Sequence, residues 1–447
     1  MNIKEIIQET KEINKEYNYL NTISEDLAVE QSKNPEPGKL KNIVISVKDC
    51  ICVSDIESKA GSKILSNYKP VFDATVIEKV KQAGGVIIGK TAQDAFGFGS
   101  FSTNVGLDMK IPLNPFDKER CCGGSSGGAA GFTKKAPSHH IALSESTGGS
   151  IVCPASFCGV VGLCPTYGRI SRYGLMDYAN SLDKIGPIGK TVEDVALLLN
   201  IIAGYDPKDS TSLNAKVPNY EEFLKKDIKG KKIGIIKEAF QEGIDKEVKT
   251  KVKESIKQLE KQGAKVEEIS LPLTTKYGVA DYYLIAMSEA STNLAKYCGI
   301  RYGKHEKLEG NFNEYFSKVR SLNLNEESKR RIMIGTFARM AGYRDAYYIK
   351  AMKVRTKIIE EYKKAFKKYD ILISPTMPIV APKFKDIEKL TPLQNYMMDI
   401  LTVGPNLAGL PHISIPVGFN KDKMPIGLMM IADHLKEENL IQFGSKI

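Results

Sequence analysis

From residue 230 to 271 the sequence passes through a β-rich run (232–236), a helix-patterned run (246–262) and a second β-rich run (265–269). In the middle run Val248, Val252, Ile256 and Leu259 recur at three- and four-residue spacing. No other feature constrains the fold as much. Apolar residues three and four apart share one helix face, and short apolar runs between turn residues pack as strands. Strands alternating with helices build a sheet covered by those helices. The pattern recurs upstream. Residues 43–47 (Ile43-Val44-Ile45-Ser46-Val47) read as a strand that delivers Lys48 and Asp49 at its end, a helix over about 74–82 stops at Gly84-Gly85, and 86–88 read as a buried strand. Residues 141–143, 371–374 and 412–415 are further strands. A helix starts at Thr191, with Asp194 placed for a variant capping box, and carries the apolar run 195–202. Residues 281–364 are largely helical in pattern. The expectation is an α/β fold: one domain over 1–447, a mixed central β-sheet flanked by helices on both faces, an N-terminal helical segment over about 1–33 and a Pro/Gly-containing linker over 33–39.

Composition narrows the class. No run approaches the roughly 18 apolar residues that span a bilayer, and the first residues lack the apolar core of a signal peptide, so the chain is expected in the cytoplasm, without membrane contact. Lys and Arg number 64 against 53 Asp and Glu, a net +11 that would suit a polyanion such as RNA. The bases interleave with acids, however, as in Lys246-Glu247-Val248-Lys249, which is the pattern of a solvated helix face. The eight cysteines contain no Cys-x-x-Cys pair and read as free thiols, and the five histidines lack ligand spacing, so no metal site is expected.

Two motif matches mislead. Gly84-Gly85-Val86-Ile87-Ile88-Gly89-Lys90-Thr91 fits a phosphate-loop pattern, but its Val-Ile-Ile run should spend its amides on a sheet rather than on phosphate. Gly124-Ser125-Ser126-Gly127-Gly128 contains a nucleophile-elbow pattern, yet no buried strand precedes it, and neither His412 nor His434 sits in a catalytic context. A third reading joins this Gly/Ser turn to Thr147-Gly148-Gly149-Ser150, which follows the strand-like 141–143. Amides at Thr147, Gly148 and Gly149 can point together at a developing oxyanion, with the glycines supplying unusual dihedrals.

Gly123-Gly124-Ser125-Ser126-Gly127-Gly128, Thr147-Gly148-Gly149-Ser150-Ile151, Pro154-Ala155-Ser156-Phe157-Cys158-Gly159 and Val47-Lys48-Asp49 together resemble the amidase signature family, in order and approximate spacing. More narrowly, residues 168–175, 289–294, 330–336 and 406–411 resemble the A subunits of tRNA-dependent amidotransferases, and this resemblance covers nearly the whole chain. It implies the amidase signature fold and a glutaminase within a carbon–nitrogen ligase that converts Glu-tRNA(Gln) or Asp-tRNA(Asn) to Gln-tRNA(Gln) or Asn-tRNA(Asn). It further implies Lys48 as base, Ser125 as a relay serine with a cis peptide, and Ser150 as nucleophile. Arg331 would take the glutamine carboxylate, Asp399 its ammonium, and Tyr282 or Tyr283 would line the pocket. No cofactor is expected in this chain. ATP and magnesium would serve a partner B subunit, which would also hold most of the tRNA, and a small C subunit would complete a heterotrimer.

The chemistry also stands on its own terms. A serine hydroxyl needs a partner to take its proton, and an ordinary lysine, with a pKa of about 10.4, is already charged. Burial at a strand end would disfavour the ammonium and let Lys48 act as a neutral base. The chain departs from the family at Ser146 (usually Asp), Val152 (usually Arg), Cys50 (usually Asn), Ala95 (usually an acid) and Cys164 (usually Lys); loss of both members of a possible Asp–Arg pair is less disruptive than loss of one. Two alternatives stay open: a stand-alone amidase on another small carboxamide, against which Arg331 and Asp399 argue, and a non-catalytic RNA-binding scaffold, against which the three reacting side chains argue.

Overall fold

The computed structural model describes residues 2–33 and 36–447; Asn34 and Pro35, within the expected linker, lie outside them. Eleven strands among the described residues form one sheet: β1 Leu20–Ile23, β2 Val44–Lys48, β3 Val86–Thr91, β4 His140–Ser146, β5 Val161–Cys164, β6 Lys184–Gly189, β7 Lys232–Ile236, β8 Lys265–Ile269, β9 Ile371–Pro375, β10 His412–Phe419 and β11 Pro425–Ala432. Their order is β1-β3-β2-β4-β6-β5-β10-β11-β9-β7-β8. The sheet is mixed. β2 runs parallel to β3 and β4, and β7 parallel to β8 and β9, while the pairings from β4 through β9 in the middle are antiparallel.

Side-chain alternation along the strands separates two cores. Ile45 and Val47 of β2, Ile87 of β3 and Ile141 and Leu143 of β4 enter the larger one. Val44, Val86, Ile88 and Ala142, their neighbours in sequence, enter the second, with Ile3, Ile7 and Phe132. Both faces are therefore covered, and the strands read as continuous apolar runs.

The helices follow from period and caps. They are α1 Ile3–Tyr17, α2 Glu25–Lys33, α3 Thr75–Gln82, α4 Gly127–Lys135, α5 Val152–Cys158, α6 Val192–Ile202, α7 Lys246–Lys261, α8 Pro272–Asn293, α9 Phe312–Asn323, α10 Glu326–Arg339 and α11 Lys350–Phe366, with shorter ones after. The capping box of α6 is complete: Asp194 N–H donates to Thr191 Oγ1 at 3.2 Å and Thr191 N–H to Asp194 Oδ2 at 3.1 Å. The N-terminal segment is two helices with a strand between them rather than helices alone. β1 closes the sheet edge against β3, and its Asn21 and Thr22 offered no apolar pattern to read. The phosphate-loop match lies in β3, which pairs with β2 and β1. Its Lys90 is buried, with Nζ on the carbonyls of Asp49 (3.3 Å) and Ile51 (2.5 Å) and on Ser58 Oγ (2.6 Å). Among the described residues no helix is long and apolar enough to cross a membrane.

Candidate active site

Because β2 and β4 are parallel neighbours, with Val47 opposite Leu143, their C-terminal ends reach the same edge of the sheet. That edge brings Lys48, the last residue of β2, beside Glu145 near the end of β4 and the turn 147–150 beyond it. Lys48 is fully buried. Its Nζ lies 2.7 Å from Ser125 Oγ, 2.9 Å from the Glu145 carbonyl and 2.9 Å from Glu145 Oε2. The Gly124–Ser125 peptide is cis. Ser126 ties the two Gly/Ser turns together, its N–H donating to the Ser150 carbonyl at 3.3 Å and its hydroxyl to the Glu145 carbonyl at 3.2 Å. Ser150 is 6 % exposed whereas Ser125 and Lys48 are at 0 %, so of the three only Ser150 faces an incoming molecule.

Among the described residues, the amides of Thr147, Gly148 and Gly149, and that of Ser150 after them, bond no protein acceptor, which leaves them available to an oxyanion. The reason for glycine differs from the expectation. Neither Gly148 nor Gly149 has a positive φ. A Cβ on Gly148 would instead stand 2.8 Å from Tyr282 Oη, and one on Gly149 2.6 Å from Thr402 Oγ1. Glycine is required by close approach. Asn406 Nδ2 donates to the Gly148 carbonyl and so fixes the turn from the other side.

A cleft of about 590 Å³ is lined by Ser100, Phe101, Tyr283, Glu327, Arg331 and Tyr396 among others. Arg331 is buried, not a surface charge like the half-exposed Arg330 beside it. Its Nε donates to Glu327 Oε1 at 2.7 Å and Nη1 to Tyr178 Oη at 2.8 Å, with Phe98, Tyr283 and Tyr396 rings around the guanidinium at 5.1–5.3 Å. Nη2 is the edge left for a ligand among the described residues. Asp399 sits in a turn and not in a helix, accepting from Tyr283 Oη at 2.6 Å and Ser100 Oγ at 2.7 Å. Burial pushes its carboxyl above the usual range. The Ser100 carbonyl takes the Gly124 N–H at 2.9 Å, which links this wall of the cleft to the cis turn. Tyr282 packs over Gly148, and Tyr283 reaches Asp399.

Ser146 and Val152 are both buried and uncharged, and Ser146 faces Asn406 Nδ2 at 3.4 Å. Cys164 is buried near the same amide, Cys50 is buried with its N–H on Gln93 Oε1, and Ala95 is buried. His412 is buried in β10, and burial holds its ring well below the ordinary titration range. Seven of the eight free cysteines are buried and Cys298 is half-buried; among the described residues no group of three His, Cys, Asp or Glu could hold a metal. Sequence reading missed Glu145, Asp183, Glu327, Tyr178 and Ser100. The signal for Glu145 was present, a lone acid inside the buried run His140–Ser146. Glu327 carried one too, an acid four residues before Arg331 on one helix face; Asp183, Tyr178 and Ser100 carried none, because their partners are remote in sequence.

Residues 2–441 match the family model described as Amidase. The A subunit of glutamyl-tRNA(Gln) amidotransferase from Sulfurihydrogenibium sp. (strain YO3AOP1) is 50% identical over 437 residues, 95% of this chain and 88% of the relative. The A subunit of the same enzyme from Persephonella marina (strain DSM 14350 / EX-H1) is 48% identical over 456 residues, 99% of this chain and 92% of the relative. The crystal structure of the A subunit of glutamyl-tRNA(Gln) amidotransferase from Thermotoga maritima superposes with a TM-score of 0.82 at 38% identity, covering 99% of this chain and 93% of that one.

Proposed function

The chain belongs to the Amidase family, and from that premise we propose that it is the glutamine-hydrolysing A subunit of a cytoplasmic tRNA-dependent amidotransferase, with Ser150 as nucleophile, Ser125 as relay and Lys48 as base. The observation that carries this reading is the buried Lys48 Nζ at 2.7 Å from Ser125 Oγ, with Ser150, alone of the three, retaining some exposure. No histidine takes part.

In the proposed reaction Ser150 Oγ attacks the side-chain amide carbon of glutamine. Its proton passes to Ser125 and the Ser125 proton to Lys48. The amides of Thr147, Gly148 and Gly149, with that of Ser150, stabilise the oxyanion as it forms. The tetrahedral adduct collapses by breaking the carbon–nitrogen bond, the relay returns a proton to the departing nitrogen, and ammonia leaves. Water, activated by the same relay, then cleaves the glutamyl ester. Asp399 is suited to the substrate ammonium and the open edge of Arg331 to its carboxylate. The close relation to A subunits of glutamyl-tRNA(Gln) amidotransferase supports a complex in which a B subunit uses ATP and magnesium on tRNA-bound glutamate or aspartate, consumes the ammonia and carries most of the tRNA contact, with a small C subunit completing a heterotrimer.

The test is ammonia release from glutamine by this chain, alone and with co-expressed B and C subunits. Release is expected, and Ser150→Ala and Lys48→Ala should each lower it by at least about a thousandfold. Release from other carboxamides but not from glutamine, even in the complex, would replace the reading with a stand-alone amidase.

A further inference from the structure

The contacts of Lys48 do not end at Ser125. Glu145 Oε2 is 2.9 Å from Lys48 Nζ, Glu145 Oε1 is 2.9 Å from Thr147 Oγ1, and Thr147 Oγ1 is 2.8 Å from Asp183 Oδ1. All four side chains are buried, none above 4 % exposure. Thr147 has a single hydroxyl proton and faces two carboxyl groups. If Lys48 is an ammonium and both acids are ionised, one of these contacts sets oxygen against oxygen with no proton between them, in a setting where an unpaired polar contact is costly.

Moving one proton from Lys48 to Asp183 closes the set. The neutral amine then donates to the Glu145 carbonyl and to Glu145 Oε2, and accepts the Ser125 hydroxyl proton, as a base must. Thr147 donates to Glu145 Oε1, and Asp183 donates to Thr147. Asp183 Oδ2 keeps its bonds from the N–H groups of Tyr178 (2.8 Å) and Ala179 (3.0 Å).

We propose that Asp183 is the proton store of the relay: through Glu145 and Thr147 it holds the proton that Lys48 must lose before it can act as a base. This rests on the proposed hydrolysis. In the transfer a Lys48 N–H bond breaks and an O–H bond forms on Glu145. That carboxyl, turning about its Cγ–Cδ bond, passes the proton to Thr147 Oγ1 as Thr147 gives its own to Asp183 Oδ1. The net charge of the cluster is unchanged and no proton leaves it.

The neighbours are consistent with this. Burial, and then the adjacent Glu145, hold the Asp183 carboxyl well above its usual range, against opposing pulls from the Ala179 amide, the Thr147 hydroxyl and Arg172. The other titratable groups facing the chain are Cys50 and Asp94 near Lys48, Cys164 near Glu145 and Tyr178 near Asp183. Asp183 acts only through Lys48, so it is a positioning residue and not a catalytic one.

The test is the pH profile of kcat/KM for glutamine. In the wild type Lys48 becomes neutral by exchange within the cluster, so the profile is flat from about pH 7 to 9. In Asp183→Asn the proton must go to solvent. Activity is then at least about tenfold lower at pH 7 and climbs about tenfold per pH unit. Asp183→Glu restores the flat profile, and Asp183→Ser repeats the Asn result should the Asn variant not fold. A variant profile that is flat, whether lowered or unchanged, overturns the proton store while leaving the hydrolysis intact. A wild type without ammonia release from any amide overturns the hydrolysis reading itself.

Discussion

Asp399 is held by the buried hydroxyls of Tyr283 and Ser100, and Arg331 by Glu327 and the Tyr178 hydroxyl, rather than by each other. A charge-assisted hydrogen bond removed from such a site costs about 1.5–3 kcal/mol, so Asp399→Asn should raise KM for glutamine about 10- to 150-fold and affect kcat much less. Only the ionised carboxylate attracts an ammonium. Because burial raises the Asp399 pKa, KM should begin to rise at a higher pH, on acidification, than an ordinary carboxylate would give, and the Asn variant should lose that dependence. Arg331→Lys should behave nearly as a deletion, since a lysine cannot hold Glu327 and Tyr178 and still present an edge to a ligand. Asp281 makes a different prediction. Neither of its oxygens has a partner among the described residues, and burial, opposed by Arg355, pushes its pKa to about 7. A folded-state pKa above the unfolded value of about 3.9 means that the folded chain binds the extra proton, so stability falls as pH rises from about 4 to 7. Asp281→Asn should therefore add roughly 1–3 kcal/mol at pH 8 and almost nothing at pH 4, as read by urea unfolding at the two pH values.

At the scale of elements, the site depends on one pairing. Parallel β2 and β4 set Lys48 against the segment that leads into the nucleophile turn, and α4 and α5 begin directly after the two Gly/Ser turns. The turn tolerates no Cβ, so Gly149→Ala should reduce ammonia release by at least about tenfold through displacement of Thr402, and should also cost about 1–3 kcal/mol in urea unfolding. The complete capping box of α6 predicts that Thr191→Ala costs about 1 kcal/mol, measured the same way, without loss of activity. The helices were legible because period and caps are local. The β-branched strands near residues 44, 86, 233 and 371 were legible for the same reason. β6, Lys-Ile-Gly-Pro-Ile-Gly, was hidden by its glycines and proline, and β11, Pro-Ile-Gly-Leu-Met-Met-Ile-Ala, is a buried apolar run whose period does not distinguish strand from helix. Lys48, Ser125 and Ser150 were legible through the resemblance of their turns. Glu145 and Asp183 were not, since only the edge shared by β4 and the segment entering β6 brings them to Thr147.

For the molecule as a whole, a sheet buried on both faces gives the site a rigid frame, with its reacting groups gathered at one edge and a single serine turned outward. The net charge of +11 is a property of the surface, interleaved with acids, and plays no catalytic part in the proposed reaction. That reaction requires a covalent intermediate at one position. Stopping it with acid during glutamine turnover and mapping the peptides by mass spectrometry measures this directly. The prediction is a glutamyl ester on Ser150, absent in Ser150→Ala and in Lys48→Ala; an ester on Ser125, or ammonia release with no ester on any serine, would contradict it.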